Sequence, residues 1–279
     1  MEPTTIEHAG AGIVPANCAI LAVQPSSPMP MTETWIFPDW PAPPRVHAAV
    51  TTRLGPGISA PPFERFNLGL RSGDLAEAVA VNRSALQQAL ALPTAPRCLQ
   101  QVHGTTVAEL GPLPGPAEPQ ADAAVSHLPG TVLAIITADC LPVLFCAEDG
   151  SEVAAAHAGW RGLANGVLEA TLTQLRSPRE RLLAWLGPCI GAASYEVGGE
   201  VRAAFVAHDG TASDCFVPTR PGHWRCDLAS LARRRLHAAG VGRIHGGGFD
   251  TLADARFYSY RRDGARSGRF ASLIWLADD

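Results

Sequence analysis

The sequence contains no lysine: all 22 of its basic residues are arginine. That absence excludes a Schiff-base lysine, a Walker lysine on a nucleotide phosphate and a lysine general base. Any anion the protein holds must be met by arginine, by backbone N–H groups or by a metal. The basic residues are outnumbered by 26 acidic ones, for a net charge of −4. The clustered basic face of a duplex-binding protein is therefore not expected. The one tight basic run, Arg233-Arg234-Arg235, falls in a helical pattern and reads as a solvated face.

Other absences narrow the class further. No apolar run reaches 18 residues, so no membrane-spanning helix is expected, while a 47% hydrophobic content is enough for a sizeable core. Seven cysteines at irregular spacing, with no Cys-x-x-Cys, do not form a disulfide framework. The first arginine is Arg45, so the N-terminus lacks the basic region of a secretory signal, and a reducing cytoplasm is the expected compartment. Neither G-x-G-x-x-G nor G-x-S-x-G occurs, which leaves dinucleotide binding and serine hydrolysis without local support.

After Met31 there is no methionine at all. Residues 1–33 read as a Pro-rich extension, with translation expected to begin at Met29 or Met31, although Ala19–Val23 has the composition of a short strand. From Trp35 onward no composition shift or repeat appears, which predicts one domain over 34–279. Pro112–Gln120, rich in proline, is expected to be a loop.

Three helices are signalled. Asp74 and Glu77 have capping-box spacing ahead of Leu75, Val79, Leu86 and Leu90. A second helix is predicted from Gly162 to Arg176, and a third is capped by Asp227 and ends at Gly240. Apolar runs at 132–137, 142–146, 153–156, 182–186 and 272–276 predict core strands. The elements interleave without a regular βαβ rhythm, which favours a mixed α+β fold.

Metal-capable side chains fall beside these strands, in Gln101-Val102-His103-Gly104, Thr137-Ala138-Asp139-Cys140 and His157-Ala158-Gly159-Trp160. Two histidines and a cysteine can hold zinc with a fourth position open. The spacing matches no short metal motif, so from the residues alone satisfied or surface histidines are the commoner reading.

The strings TADCLPVLF, AAAHAGWRGLANGVLEATL, LGPCIGAASYEVGGEV, FYSYRRDG and GRFASLIWL, with TTR at 51–53 and FNLGL at 66–70, closely resemble the laccase-domain family. That family is described as multicopper polyphenol oxidase or purine nucleoside phosphorylase. The resemblance implies a single α+β domain with β-sheets packed between helices in a layered α/β/β/α sandwich. It also implies a catalytic zinc on His103, Cys140 and His157. The implied activity is phosphorolysis of adenosine, inosine, guanosine and methylthioadenosine, with adenosine deamination beside it. The implied partners are therefore a purine nucleoside and phosphate, with no nucleic acid or membrane and with a monomer favoured.

Copper chemistry fits the letters less well than zinc. There is no His-x-His pair among nine histidines, and no methionine beyond residue 31 to serve as an axial ligand. A metal-free reading also stands, with Cys140 a nucleophile paired with His157 or His103 in a hydrolase. With lysine absent, the candidates for phosphate are Arg53, Arg161, Arg261 and Arg262. Asp139 is a candidate for orienting an imidazole or moving a proton, or else for closing a turn. Asn67 is a candidate substrate contact or an Asx turn. Cys189 and Gly246–Gly248 are expected to serve backbone geometry.

Overall fold

The computed structural model describes Met1, residues 31–111 and residues 118–278. The expected strand at Ala19–Val23, the alternative start sites at Met29 and Met31 and most of the Pro112–Gln120 loop lie outside or at the edge of these described residues.

In chain order, helix α1 (Met31–Thr34) leads to strands β1 (Trp35–Ile36) and β2 (Val46–Thr51), then helix α2 (Ala76–Ala89). Strands β3 (Val107–Glu109), β4 (Ala123–Ser126), β5 (Leu133–Thr137), β6 (Leu141–Ala147) and β7 (Val153–Ala158) follow. Helices α3 (Trp160–Asn165) and α4 (Val167–Gln174) precede β8 (Leu182–Leu186), β9 (Glu196–Gly198) and α5 (Gly199–Val206). Then come β10 (Phe216–Arg220), β11 (His223–Cys226), α6 (Leu228–Ala238), β12 (Arg243–Gly246), α7 (Tyr260–Asp263) and β13 (Phe270–Leu276).

The strands form two main sheets, ordered β1-β2-β13-β5 and β12-β8-β6-β7-β4-β3, with β10-β11-β9 as a small third sheet. Side-chain alternation along each strand sorts residues between the layers. On β6, Leu141, Val143 and Phe145 face the cluster built with α4 and α6, while Leu144 and Cys146 face the other sheet. On β5 and β13, Ile135 and Ile274 enter the inter-sheet layer, whereas Ala134 and Leu273 pack with Leu86 of α2. The result is one mixed α+β domain: a helix, two stacked sheets and a second helical layer. These strands read as near-continuous apolar runs because both faces are covered.

Two helices differ from the sequence expectation. Helix α2 begins after Leu75, which is exposed and provides no side-chain cap. Asp74 instead turns its carboxylate inward, accepting hydrogen bonds from Ser59 Oγ at 2.6 Å and Asn67 Nδ2 at 2.9 Å. Tertiary hydrogen bonds outcompete the local cap here. The helix expected over 162–176 is split at Gly166, whose φ of 96° places it in the left-handed region. The third follows expectation, with Asp227 accepting from Ser230 N at 2.9 Å.

A Cβ at Gly166 would meet no atom closer than 3.5 Å, so the cost of a side chain there is conformational. Gly166→Ala is expected to lower unfolding free energy by about 1–2 kcal/mol. Chemical denaturation measures this, and a change of less than a few tenths would mean the α3–α4 junction relaxes freely.

Candidate metal centre

Three strand ends converge at one edge of the inter-sheet layer. Strands β6 and β7 are antiparallel neighbours with Pro142 opposite His157, so Cys140, one residue before β6, lies beside the end of β7. Alternation puts His157 on the same face as Val153 and Ala155, toward the other sheet. The same rule puts Asp122, one residue before β4, on the face of Ala124. His103 arrives on the loop after Gln101, whose amide donates to Ile136 O and accepts from Ile136 N, both at 2.9 Å, thereby pairing with the edge of β5.

The Asp122 carboxylate assembles the site. It accepts from His103 N at 2.8 Å, Gly104 N at 2.6 Å and Val102 N at 3.2 Å. It also takes His157 Nδ1–H at 2.9 Å, while the Asp122 carbonyl accepts from His157 N at 2.7 Å. His157 is thereby fixed with Nε2 free to act as a ligand. His103 Nε2 lies 3.7 Å from Cys140 Sγ, and the two imidazole centres are 4.7 Å apart. One ligand atom from each of His103, Cys140 and His157 falls within 4.8 Å of the others. Gly159 makes this approach possible, since a Cβ there would sit 2.7 Å from His103 Cδ2 and 3.0 Å from Cys140 Sγ.

Two nitrogens and a thiolate suit a soft or borderline cation, and the chemistry of the site favours the thiolate. Burial alone would raise the Cys140 thiol, but the charge of His157 and hydrogen bonds from both imidazoles bring it down to about 6. Burial alone would lower His157, yet the Cys140 charge and the Asp122 hydrogen bond carry it up to about 9. Burial opposes ionisation of Asp122 too, and the His157 and backbone hydrogen bonds override it. Elsewhere burial wins: Cys98 is pushed up to about 11 and Cys146 to about 12. Cys189 is raised as well, and its carbonyl accepts from Thr251 N at 3.0 Å.

The orienting contact considered for Asp139 is made by Asp122. Asp139, at φ 83°, accepts instead from Thr251 Oγ1 at 2.6 Å, Ser259 Oγ at 3.0 Å and Arg261 N at 2.7 Å, joining loops behind Cys140. Nothing at short range in the sequence marks Asp122, which lies 35 residues from His157. Its only signal is a carboxylate at the entry of a short small-residue strand.

The three side chains open into a cavity of about 540 Å³. Leu70, Leu99, Ile136 and Ile190 form apolar wall, and Trp160, Tyr195 and Tyr260 supply aromatic planes. Of the arginines considered from sequence, Arg161 and Arg261 line it: Arg161 stacks over Trp160 at 4.4 Å and Arg261 over Tyr195 at 5.3 Å. Arg53 lies elsewhere, over Tyr258 at 4.9 Å, and Arg262 is used in donating to Phe257 O and Asp263. Asn67 is fully buried and forms an Asx turn, accepting from Gly69 N at 3.0 Å. Arg71, Arg83 and Arg269 also line the cavity, and no sequence pattern singles them out.

Metal uptake should be pH-dependent in a defined way. Between about pH 6 and 9 the cation displaces the His157 proton, and below about 6 it displaces the Cys140 proton as well. Apparent affinity should therefore rise about tenfold per pH unit from 6 to 9 and more steeply below 6. Chelator competition at several pH values checks this, and a flat profile would contradict it. In the same assay Asp122→Asn should weaken metal binding about 10- to 100-fold.

Comparison with known proteins agrees with this architecture. Residues 47–277 match the family described as multi-copper polyphenol oxidoreductase laccase. Purine nucleoside phosphorylase PA4543 of Pseudomonas aeruginosa is 55% identical over 246 residues, covering 88% of this chain and 99% of that protein. Purine nucleoside phosphorylase YfiH of Escherichia coli (strain K12) is 50% identical over 242 residues, 86% of this chain and 98% of that one. The crystal structure of Neisseria meningitidis protein NMB0706 superposes with a TM-score of 0.82 at 45% identity, covering 88% of this chain and all 100% of that chain. A two-histidine, one-cysteine cluster at the mouth of a stacked-sheet α+β domain, and relatives matched over nearly their full length, identify the chain as a member of the multi-copper polyphenol oxidoreductase laccase family.

Proposed function

We propose that the protein is a zinc-dependent purine nucleoside phosphorylase acting on adenosine, inosine, guanosine and methylthioadenosine, with adenosine deamination as a second activity. The observation that carries this reading is the opening of the His103–Cys140–His157 cluster into a cavity with aromatic planes and arginines. The names of the relatives supply the reaction class. His103, Cys140 and His157 would hold the zinc, which would supply Lewis acidity there.

The remaining work falls to the chain's own groups. Asp122 keeps His157 in one tautomer and His103 in place. Trp160, Tyr195 and Tyr260 offer faces for a planar base, and the apolar wall excludes water from it. Guanidinium groups meet the phosphate, because the chain has no other cationic side chain to do so except histidine.

Zinc is preferred to copper on ligand supply. Among the described residues, His103, Cys140 and His157 are the one group of three or more such side chains close enough to share an ion, whereas multicopper chemistry needs several. One observation favours a second reading: the low Cys140 and high His157 values make a thiolate–imidazolium pair, the activated form of a metal-free nucleophile. Among the described residues no helix is long and apolar enough to cross a membrane, and cytoplasmic residence belongs to the same proposal.

Purified protein incubated with adenosine or inosine should release base and ribose 1-phosphate only when phosphate is present. Activity should fall more than about 100-fold in Cys140→Ala or after chelation, and return with zinc after chelation. Activity that survives complete metal removal but not Cys140→Ala would select the thiolate nucleophile. Unaltered function in His157→Ala would reject both enzymatic readings.

A further inference from the structure

Five arginines line the cavity, and Arg269 stands apart from the other four. Arg71 and Arg83 share the single carboxylate of Glu118, which ties both guanidinium groups down and offsets one of their two charges. Arg161 is exposed and stacked on Trp160, and Arg261 stacks on Tyr195 while donating to Glu196 O at 3.0 Å. Arg269 is half-buried, and no described carboxylate pairs with it. Its Nη1 donates to Ser267 O at 2.6 Å and Gly268 O at 2.9 Å. That leaves Nε–H and the Nη2 amine without partners among the described residues. Cys140 and Asp139 act on Arg269 only through space, so its guanidinium is partly withdrawn from water without a direct ion pair, an arrangement that a bound anion would complete.

The backbone around Arg269 is built to hold it still. Asn67 Oδ1 accepts from Gly69 N at 3.0 Å and from Arg269 N at 2.8 Å, so one amide joins the FNLGL and GRFAS segments. Leu68 N donates to Arg269 O at 3.0 Å, closing the same junction. The arginine stem lies against bare backbone: a Cβ on Gly69 would be 2.7 Å from Arg269 Cγ and 3.0 Å from its Cβ. The guanidinium carbon is 5.8 Å from the Tyr260 ring centre, on the cavity wall that also holds Cys140. The FNLGL and GRFAS segments thus meet to place one guanidinium on the cavity wall.

We propose that Arg269 is the phosphate receptor of the cavity, with Asn67 and Gly69 as its positioning residues. The assignment rests on the phosphorylase reading for the identity of the anion, and on geometry for the site. In that reaction one oxygen of hydrogen phosphate forms a bond to C1′ and the C1′–N9 bond breaks. The electron pair leaves with N9, and the phosphate proton ends on the base, giving ribose 1-phosphate and free purine. The planar fork of Arg269 would present its Nε–H and Nη2–H to two oxygens of the dianion.

The test combines calorimetric titration of metal-loaded protein with inorganic phosphate and initial rates against phosphate at fixed inosine. Arg269→Gln should weaken phosphate at least about tenfold in both Kd and KM, with metal content unchanged and the KM for inosine within about twofold. Gly69→Ala retains the guanidinium but displaces its stem, and should raise the phosphate KM in the same selective way. Unchanged phosphate affinity in Arg269→Gln, alongside phosphate-dependent cleavage by the wild type, overturns the assignment and leaves the phosphorylase reading standing. Phosphate binding that depends on Arg269, in a protein that cleaves no nucleoside, upholds the anion site and removes the phosphorylase reading. Wild-type protein that binds no phosphate overturns the anion site.

Discussion

The Asp122 carboxylate is the constraint on which the site depends. It is fully buried, and a buried charge persists only when hydrogen bonds or opposite charge replace its water. Here backbone N–H groups from Val102, His103 and Gly104 and the His157 imidazole do so. Because the same two oxygens satisfy a loop and a strand end, the positions of His103 and His157 are not independent. Removing the carboxylate would leave three backbone donors unmatched and one imidazole free to rotate. A single buried anion therefore helps gather distant segments into one cluster able to hold a metal ion.

The stacked sheets make that arrangement possible. Strands covered on both faces need only apolar residues in their interiors, so polar groups collect where the ladders end. Asp122 lies just before β4, Cys140 just before β6, and His157 next to the end of β7. Antiparallel pairing of β6 with β7 and of β7 with β4 brings these ends to one edge. The rigidity comes from the layers behind them, in which Val143, Phe145 and Ala156 are completely buried. Glycine at 159 is the remaining geometric requirement, since any side chain would intrude between His103 and Cys140.

Much of this was legible in the letters, and the exceptions have a common cause. Runs such as Leu182–Leu186 announce core strands because burial on both faces demands continuous apolarity, and Asp227 announces a helix start because its bond to Ser230 is local. Alternation also explains why His157 faces the inter-sheet layer. What escaped was non-local. Asp74 has a cap's spacing but bonds Ser59 and Asn67, and Asp122 meets His157, 35 residues away in the chain, from the neighbouring strand's end. The break at Gly166 escaped for a different reason, since a glycine inside a helical pattern is compatible with either a continuous or an interrupted helix. Arg269 was hidden because an arginine's role follows from its partners, and its backbone partner is 202 residues away.

The absence of lysine acquires a sharper meaning in this setting. An ammonium is a flexible point charge that can follow a moving anion, whereas a guanidinium must be aimed. A chain that relies only on arginine for permanent cationic side chains therefore has to build a mount for any arginine that binds. Arg71 and Arg83 are held by one shared carboxylate, which restrains both and offsets one of their two charges. Arg269 is held by carbonyls and by packing against Gly69, which restrains it and leaves its charge available. How each guanidinium is held, by a shared carboxylate or by neutral carbonyls, rather than the number of arginines in the cavity, is what sets Arg269 apart as a place to receive an anion.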